Sequence, residues 1–203
     1  MGAMEVREYS AGAVKHALWF QEFRKVVQLL NEGKTLDEAK ALNKAENIFG
    51  CATPARATLI FNTIACRIKA LDKSFYPVFV NGDLSSQKLF SLIAAMAYDA
   101  LLFDLVYEVI REKMIVGVNE FAEADVRIFF KNKQLQSAKA AAWTDYTLSK
   151  LSTSYKSMLY EAGLTDKGRE SRKIFKPILE REMEDWLNDH GMSIMVDALT
   201  GVR

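Results

Sequence analysis

The run from Leu89 to Tyr107 is the most apolar part of this 203-residue chain, and it constrains the fold most strongly. Apolar residues fall on nearly all sides of a helix drawn through it, which is typical of a helix buried at the centre of a core. Asp99 and Asp104 interrupt the run, and two carboxylates near the middle of a bilayer would be costly. We interpret the run as a buried helix of a cytoplasmic protein that does not enter the membrane.

Amphipathic helices with clear start signals occupy the rest of the N-terminal half. Apolar residues recur at helical spacing from Ala11 to Glu32. Thr35-Leu-Asp-Glu38 has the form of a capping box, and Thr53-Pro54 combines a capping hydroxyl with proline at the first helical position. The chain contains three Pro and ten Gly, a content that fits long helices with few turns. The sequence therefore predicts an all-α fold.

The C-terminal part has a different pattern of helices. It predicts a helix from about Glu120 to Lys133, a turn, a short Ala-rich helix at 137–143, and a longer helix from Thr144 to Gly163. This succession is typical of a helix-turn-helix unit. Residues 171–176 are predicted to return as a short strand, as in a winged helix, so the fold contains at most a short β-hairpin.

We divide the chain into an N-terminal helical bundle at residues 4–118 and a helix-turn-helix, winged-helix-like portion at residues 119–203. The last predicted helix begins at Pro177, runs to His190, and directs Ile178 and Leu179 inward. The patterns leave open whether the two parts have separate cores or pack as one unit.

The predicted helix from Thr144 to Gly163 has an unusual polar face. Its apolar residues form one stripe, but seven of the fourteen residues from Thr144 to Ser157 are Ser or Thr. Ser and Thr are mediocre helix formers, whereas short hydroxyls and Lys suit a helix that lies against phosphates and base edges. A solvated surface helix is the alternative interpretation.

Positive charge is concentrated around this helix. The chain has a net charge of +1, but residues 125–176 contain eleven Lys and Arg against five Asp and Glu, an excess of +6. A localised basic excess is typical of an anion-binding surface. The predicted nucleic-acid-binding residues are Lys131, Lys133, Lys139, Thr147, Lys150, Thr153, Ser154, Lys156, Arg169, Arg172 and Lys173.

The predicted binding face contains Lys150 and Lys156 but no Arg. Arg, Asn and Gln are the better bidentate readers of base edges, whereas Lys suits phosphate contacts. The composition of the face therefore predicts binding to double-stranded DNA with low sequence specificity.

Enzymatic classes find little support in the residues. His16 and His190 are far apart, and neither has a second ligand at metal-binding spacing. Cys51 and Cys66 form neither a disulfide framework nor a metal motif. A P-loop, a dinucleotide fingerprint and a nucleophile elbow are missing from the sequence. We predict a non-enzymatic protein with no metal site, no cofactor and no small-molecule substrate.

Asp104, Glu108 and Glu112 recur every four residues and could share one helix face as a metal or acid–base site. Arg111 and Lys113 lie beside them in the sequence. Opposite charges on one helix favour the interpretation of an ion-paired edge.

Sequence features spread over most of the chain resemble the BrxA family, the small helical proteins of bacteriophage-exclusion (BREX) defence loci. The matching segments are Glu-Tyr-Ser-Ala-Gly-Ala at 8–13, Trp-Phe-Gln-Glu-Phe at 19–23, Gly-Lys-Thr-Leu-Asp-Glu at 33–38, Ala-Thr-Pro-Ala-Arg at 52–56 with Arg67 downstream, and the helix from Trp143 to Gly163 that ends in Tyr-Glu-Ala-Gly-Leu164. The resemblance implies a cytoplasmic, non-enzymatic component of a phage-resistance system, associated with double-stranded DNA and with other BREX proteins. It also implies a fold similar to NusB-type antitermination proteins, which bind RNA. It transfers no binding residues.

Three hypotheses follow: a double-stranded DNA-binding module, a protein–protein adaptor within the defence complex, and an RNA-binding NusB-like protein. If Lys150, Lys156 and Arg172 belong to one nucleic-acid footprint, they must share one exposed face. Their placement in the fold decides this point.

Overall fold

The computed structural model describes residues 8–202, so residues 4–7 of the first predicted part lie outside the described chain. Helices dominate the fold, with one pair of short strands. In chain order the elements are a 3-10 helix at Gly12–Lys15, α1 at Phe20–Asn31, α2 at Leu36–Glu46, α3 at Pro54–Lys69, α4 at Phe75–Asn81, α5 at Leu84–Tyr98, α6 at Ala100–Leu105, a π-helical stretch at Val106–Arg111, α7 at Glu112–Ile115, β1 at Glu120–Ala122, α8 at Glu123–Gln136, α9 at Ala138–Ala141, α10 at Asp145–Glu161, β2 at Ser171–Lys173, α11 at Arg181–Asp189 and α12 at Ser193–Thr200.

The central apolar run forms two helices that meet at Asp99. The Asp99 side chain accepts hydrogen bonds from the backbone amides of Leu101 (3.1 Å) and Leu102 (3.3 Å), which caps α6 and separates it from α5. The two helical parts are bent by 115°. Within residues 8–202 no single helix is both long enough and apolar enough to cross a membrane. The bent pair reaches the required length and apolar content only when its two parts are counted together.

Local capping fixes the starts of the N-terminal helices α2 and α3. The Thr35 hydroxyl accepts from the Glu38 amide while the Glu38 carboxylate accepts from the Thr35 amide, which confirms the predicted capping box. Thr53 caps α3 in the same way, by accepting from the Arg56 amide. These bonds satisfy amide groups that have no partner within the helix.

The C-terminal helices α8, α9 and α10 occur in the predicted order. Strand β1 precedes them and β2 follows them, and the two pair antiparallel with Phe121 opposite Arg172. The strand pair therefore connects the segment before α8 with the segment after α10. The predicted all-α fold with a short β element is confirmed.

The predicted start of the last long helix is wrong by several residues. Residues 177–180 are not helical, α11 begins at Arg181, and the Ile178 side chain is 94% exposed rather than inward. The Glu180 carboxylate accepts a hydrogen bond from the Asp83 amide (3.2 Å) at the start of α5. This tertiary contact holds the segment before α11 in an extended path, which Pro177 alone does not reveal.

One continuous hydrophobic core joins the two predicted parts. It includes Phe23 and Ile93 from the first part and Tyr155, Leu187 and Leu199 from the second. The predicted boundary between residues 118 and 119 therefore does not separate two cores within the described chain.

Candidate nucleic-acid interface

Helix α10 is held in place by its buried face. Thr144 caps its N-terminus by accepting from the Thr147 amide (3.3 Å), and Leu151, Tyr155 and Leu159 are fully buried. The Tyr155 hydroxyl donates to the Asp99 carboxylate (2.9 Å), which fixes the helix against the junction of α5 and α6. The opposite face is therefore directed outward in a defined orientation.

The exposed face of α10 carries five residues at steps of three and four: Tyr146, Lys150, Thr153, Ser157 and Tyr160. We call them the α10 stripe. This spacing places them along one side of a helix, over a length of about 21 Å at 1.5 Å per residue. None of the five carries a carboxylate.

A Tyr–Lys pair occupies each end of the α10 stripe. The Lys150 ammonium lies 5.3 Å from the centroid of the Tyr146 ring. At the other end, the ammonium of Lys167, in the loop after α10, lies 5.8 Å from the Tyr160 ring. Both are cation–π contacts, and neither lysine makes an ion pair within residues 8–202. The stripe thus presents two unpaired cations near its two ends.

The predicted hydroxyl residues differ in what they can donate. The Thr153 hydroxyl donates to the Ser149 carbonyl (2.9 Å), so in this rotamer it is an acceptor toward solvent. Contact with a phosphate oxygen requires it to rotate, because phosphate oxygens only accept. Thr147 and Ser154 lie at the flank of the stripe and are half-buried.

Lys156 and Arg172 do not share the exposed face with Lys150. The Lys156 ammonium pairs with the Glu123 carboxylate, and the Arg172 guanidinium donates to the Lys156 carbonyl (2.6 Å). Lys150 and Lys156 are six residues apart, which is about 120° around a helix. The single footprint required of these three residues is therefore a wrong prediction: Lys156 and Arg172 join α8, α10 and β2.

Lys133 is a second correction. It is 2% exposed, and its ammonium contacts the carboxylates of Asp104 and Glu108, each at 2.6 Å, and the Tyr9 hydroxyl at 3.1 Å. Burial opposes the charge, but these hydrogen bonds outweigh it and raise the pKa of Lys133. This lysine neutralises carboxylates inside the fold and has no route to a phosphate. The interpretation of Asp104 and Glu108 as an ion-paired edge agrees with this contact.

The other predicted cations lie on separate surfaces. Lys139 is exposed and pairs with Glu8 (3.1 Å). Lys131 is exposed on α8, and Arg169 is exposed in the loop before β2. Lys173 lies opposite Glu120 in the strand pair, and alternation along a strand directs it to the other side of the sheet from Arg172. The basic excess of this region is therefore divided among several surfaces.

The tyrosines of the α10 stripe were missed as site residues from the sequence. The spacing of Tyr146 and Tyr160 on the side of Lys150 was a usable signal. Residues 8–202 contain no group of three or more His, Cys, Asp or Glu that could hold a metal ion.

The fold and the α10 stripe together define an all-α protein with a short strand pair and a stripe of five exposed residues, none of them a carboxylate, along one long helix. The model of the BrxA family matches residues 7–191. A BREX protein BrxA of Bacillus cereus (strain H3081.97) is 36% identical over 193 residues, covering 95% of this chain and 96% of that protein. The chain belongs to the BrxA family.

A solved structure shares the same architecture. The crystal structure of an uncharacterized protein from Magnetospirillum magneticum superimposes with a TM-score of 0.81 at 17% sequence identity, covering 97% of this chain and all of that one. At this level of identity the likeness shows the fold.

Proposed function

We propose that this chain is a cytoplasmic, non-enzymatic component of BREX phage defence that binds double-stranded DNA with low sequence specificity. The observation that carries the proposal is the α10 stripe, five exposed residues without a carboxylate and with a Tyr–Lys pair at each end. Family membership supports the role in phage defence, because the similar protein of Bacillus cereus is a BREX protein.

The dimensions of the stripe suit a duplex. Its length of about 21 Å corresponds to about six phosphates of one strand at 3.4 Å each. Lys150 and Lys167 would contact phosphates, and the hydroxyls of Tyr146, Tyr160 and Ser157 can donate to them. The lack of Arg on the stripe argues for phosphate tracking rather than base reading. In this proposal α8, α9 and α10 act as a helix-turn-helix unit, with the strand pair in the position of a wing.

A second candidate is a protein–protein adaptor within the defence complex. On α8, Ile128 is 60% exposed and Leu135 is 87% exposed, seven residues apart on one face. Two large apolar side chains on one exposed helix face favour contact with a protein rather than with phosphates. RNA binding is the third candidate, because the family resemblance implies a fold similar to NusB-type proteins. The titration described next distinguishes it from DNA binding.

The test is a fluorescence anisotropy titration with duplex DNA, single-stranded DNA and RNA at about 50 and 200 mM salt. We expect the duplex to bind most tightly and its affinity to fall steeply with salt. A Lys150→Glu, Lys167→Glu double variant should weaken duplex binding about tenfold or more at low salt. It should also reduce the salt slope by about two, because each lost phosphate contact lowers the slope by about one.

The matched control is Lys40→Glu, Lys44→Glu on α2, which makes the same change in net charge at two exposed lysines four residues apart. An equal loss in both double variants would show a general charge effect and contradict the α10 site. Binding to none of the three nucleic acids at low salt would contradict DNA and RNA binding and leave the adaptor. Preference for RNA over duplex would support the third hypothesis.

A further inference from the structure

A small cavity lies between the N-terminal 3-10 helix, α3, the junction of α5 and α6, and α10. Its volume is about 250 Å³, room for about eight water molecules at 30 Å³ each. Its polar lining residues include Glu8, Ser10, His16, Arg67, Tyr98 and Asp99. A cavity of this size is smaller than a typical small-molecule pocket, so it suits a compact ligand.

Arg67 is the notable residue of this cavity. It belongs to α3 and is 3% exposed. Its guanidinium donates to the Leu18 carbonyl (2.7 Å) and lies 5.8 Å from the Trp19 ring. The bond to Leu18 uses one of the five N–H donors of the guanidinium. Within residues 8–202 the guanidinium makes no ion pair. A buried charge without a direct partner is costly, so a counter-ion in the cavity would stabilise it.

The carboxylates near Arg67 have other hydrogen-bond donors. One Asp99 oxygen accepts from backbone amides of α6 and the other accepts from the Tyr155 hydroxyl. Burial raises the pKa of Asp99, although these hydrogen bonds oppose the rise. Glu161 accepts from the Phe20 amide (3.2 Å). These two groups attract the Arg67 charge without contacting it directly.

The remaining polar lining combines a neutral histidine and a serine hydroxyl with two carboxylates. Burial, with the charge of Arg67, lowers the pKa of His16 to about 4, so His16 is neutral near pH 7 and adds no second cation. The Ser10 hydroxyl accepts from the Gly12 amide (3.1 Å), which leaves its own proton free for donation. Glu8 also lines the cavity but pairs with Lys139. The carboxylates of Glu8 and Asp99 repel an anion, and they repel one of high charge more than one of low charge.

We propose that this cavity is a binding site for a compact oxyanion, of the carboxylate or phosphate class, held by the guanidinium of Arg67 and the hydroxyl of Ser10. A guanidinium presents parallel N–H groups that match two oxygens of a carboxylate or a phosphate. The site lies apart from the α10 stripe, so it is independent of DNA binding and is measured without nucleic acid.

The test is thermal unfolding of the full chain at about pH 7 in sodium acetate or sodium phosphate, each compared with sodium chloride at equal ionic strength. At about ten times the Kd, the anion should raise Tm by about 3–6 °C. Isothermal titration calorimetry should show one saturable site. A response to one anion and not the other identifies the class of ligand. If neither anion raises Tm above the chloride reference, the cavity holds water and the proposal is wrong.

Arg67→Gln tests the residue itself. The Gln amide can still donate toward the Leu18 carbonyl while the charge is removed, and circular dichroism checks that the variant folds. The anion-dependent rise in Tm should disappear in Arg67→Gln and persist in Arg56→Gln, a matched change at an exposed position of the same helix. A rise that persists in Arg67→Gln places the anion elsewhere and overturns the proposal. If Arg67→Gln does not fold, Ser10→Ala takes its place and should weaken saturable binding severalfold.

Discussion

Lys133 of α8 places its ammonium between Asp104 and Glu108, which belong to α6 and the π-helical stretch that follows. Lys131, two residues earlier, is exposed. In the sequence both appear as lysines of one basic region. Their roles differ because helix rotation directs one into the fold and the other into solvent, and the contacting carboxylates lie more than 20 residues away in the chain.

Lys133→Met should lower the free energy of unfolding by about 2–3 kcal/mol. The substitution keeps most of the unbranched side chain but leaves Asp104 without its cation, and removal of one partner from a buried pair is strongly destabilising. Glu108 is half-exposed and contributes less. Urea unfolding measures the change. Lys131→Met is the control and should stay within about 0.5 kcal/mol of the parent chain; equal effects would contradict a structural role for Lys133.

His16 gives the chain a defined acid sensitivity. Its pKa falls from 6.5 to about 4 on folding, through burial and the charge of Arg67. Because the folded pKa is the lower one, protons bind the unfolded chain more tightly. The stability contributed by the neutral ring is complete above pH 6.5 and is lost as the pH falls toward 4.

We therefore expect His16→Gln to reduce the pH dependence of the free energy of unfolding. Between pH 7 and about pH 4.5 the parent chain should lose about 1–2 kcal/mol more unfolding free energy than the variant loses. This figure allows for the partial exposure of the ring. Urea unfolding at several pH values measures it. Parallel pH profiles for the two proteins would show that the ring is not held neutral.

At the scale of elements, α10 is the clearest case of agreement between sequence and structure. Its predicted bounds and its apolar residues agree with the fold, because helical periodicity involves residues close together in the chain. The partner of its buried hydroxyl could not be predicted. Asp99, 56 residues away from Tyr155, both caps α6 and accepts from α10, so it joins three helices at one carboxylate.

Tyr155→Phe should destabilise the protein by about 2 kcal/mol. The substitution removes the hydrogen bond to Asp99 and leaves one oxygen of this buried carboxylate without its donor. Tyr160→Phe is the matched control on the exposed face of the same helix and should have little effect. The comparison is made by the denaturant midpoint at constant m-value. Similar midpoints for the two variants would mean that the bond to Asp99 does not hold α10 in place.

At the scale of the molecule, the C-terminal part supplies core residues that the N-terminal part needs. Arg111 donates from Nε (3.1 Å) and Nη2 (2.9 Å) to the carbonyl of Val202, next to the end of α12. The fully buried side chains of Tyr155 and Leu187 lie in the same core as Phe23 and Phe90. The two predicted parts are thus connected by a shared interior rather than by a surface contact.

The full chain should consequently unfold in one cooperative transition. A fragment of residues 119–203 should remain largely unfolded, because residues such as Leu151 and Leu159 would be left without the surfaces that bury them. Circular dichroism of the fragment, and calorimetry of the full chain, test this. Two resolved transitions, or a fragment with cooperative thermal unfolding, would show that the parts are independent domains.

The sequence by itself determined the helical class, the capped starts of two N-terminal helices, the apolar side of α10 and the resemblance to the BrxA family. These depend on local hydrogen bonds, on the helical period and on matched segments. Only the tertiary structure decided which cations are free. Lys133 and Lys156 are neutralised by carboxylates of other elements, Lys150 is not, and Arg67 is buried beside a cavity. The physical reason is that the interaction between two charges depends on their distance in space. The carboxylates that pair with Lys133 and Lys156 lie far away in the chain, so only the fold brings them together.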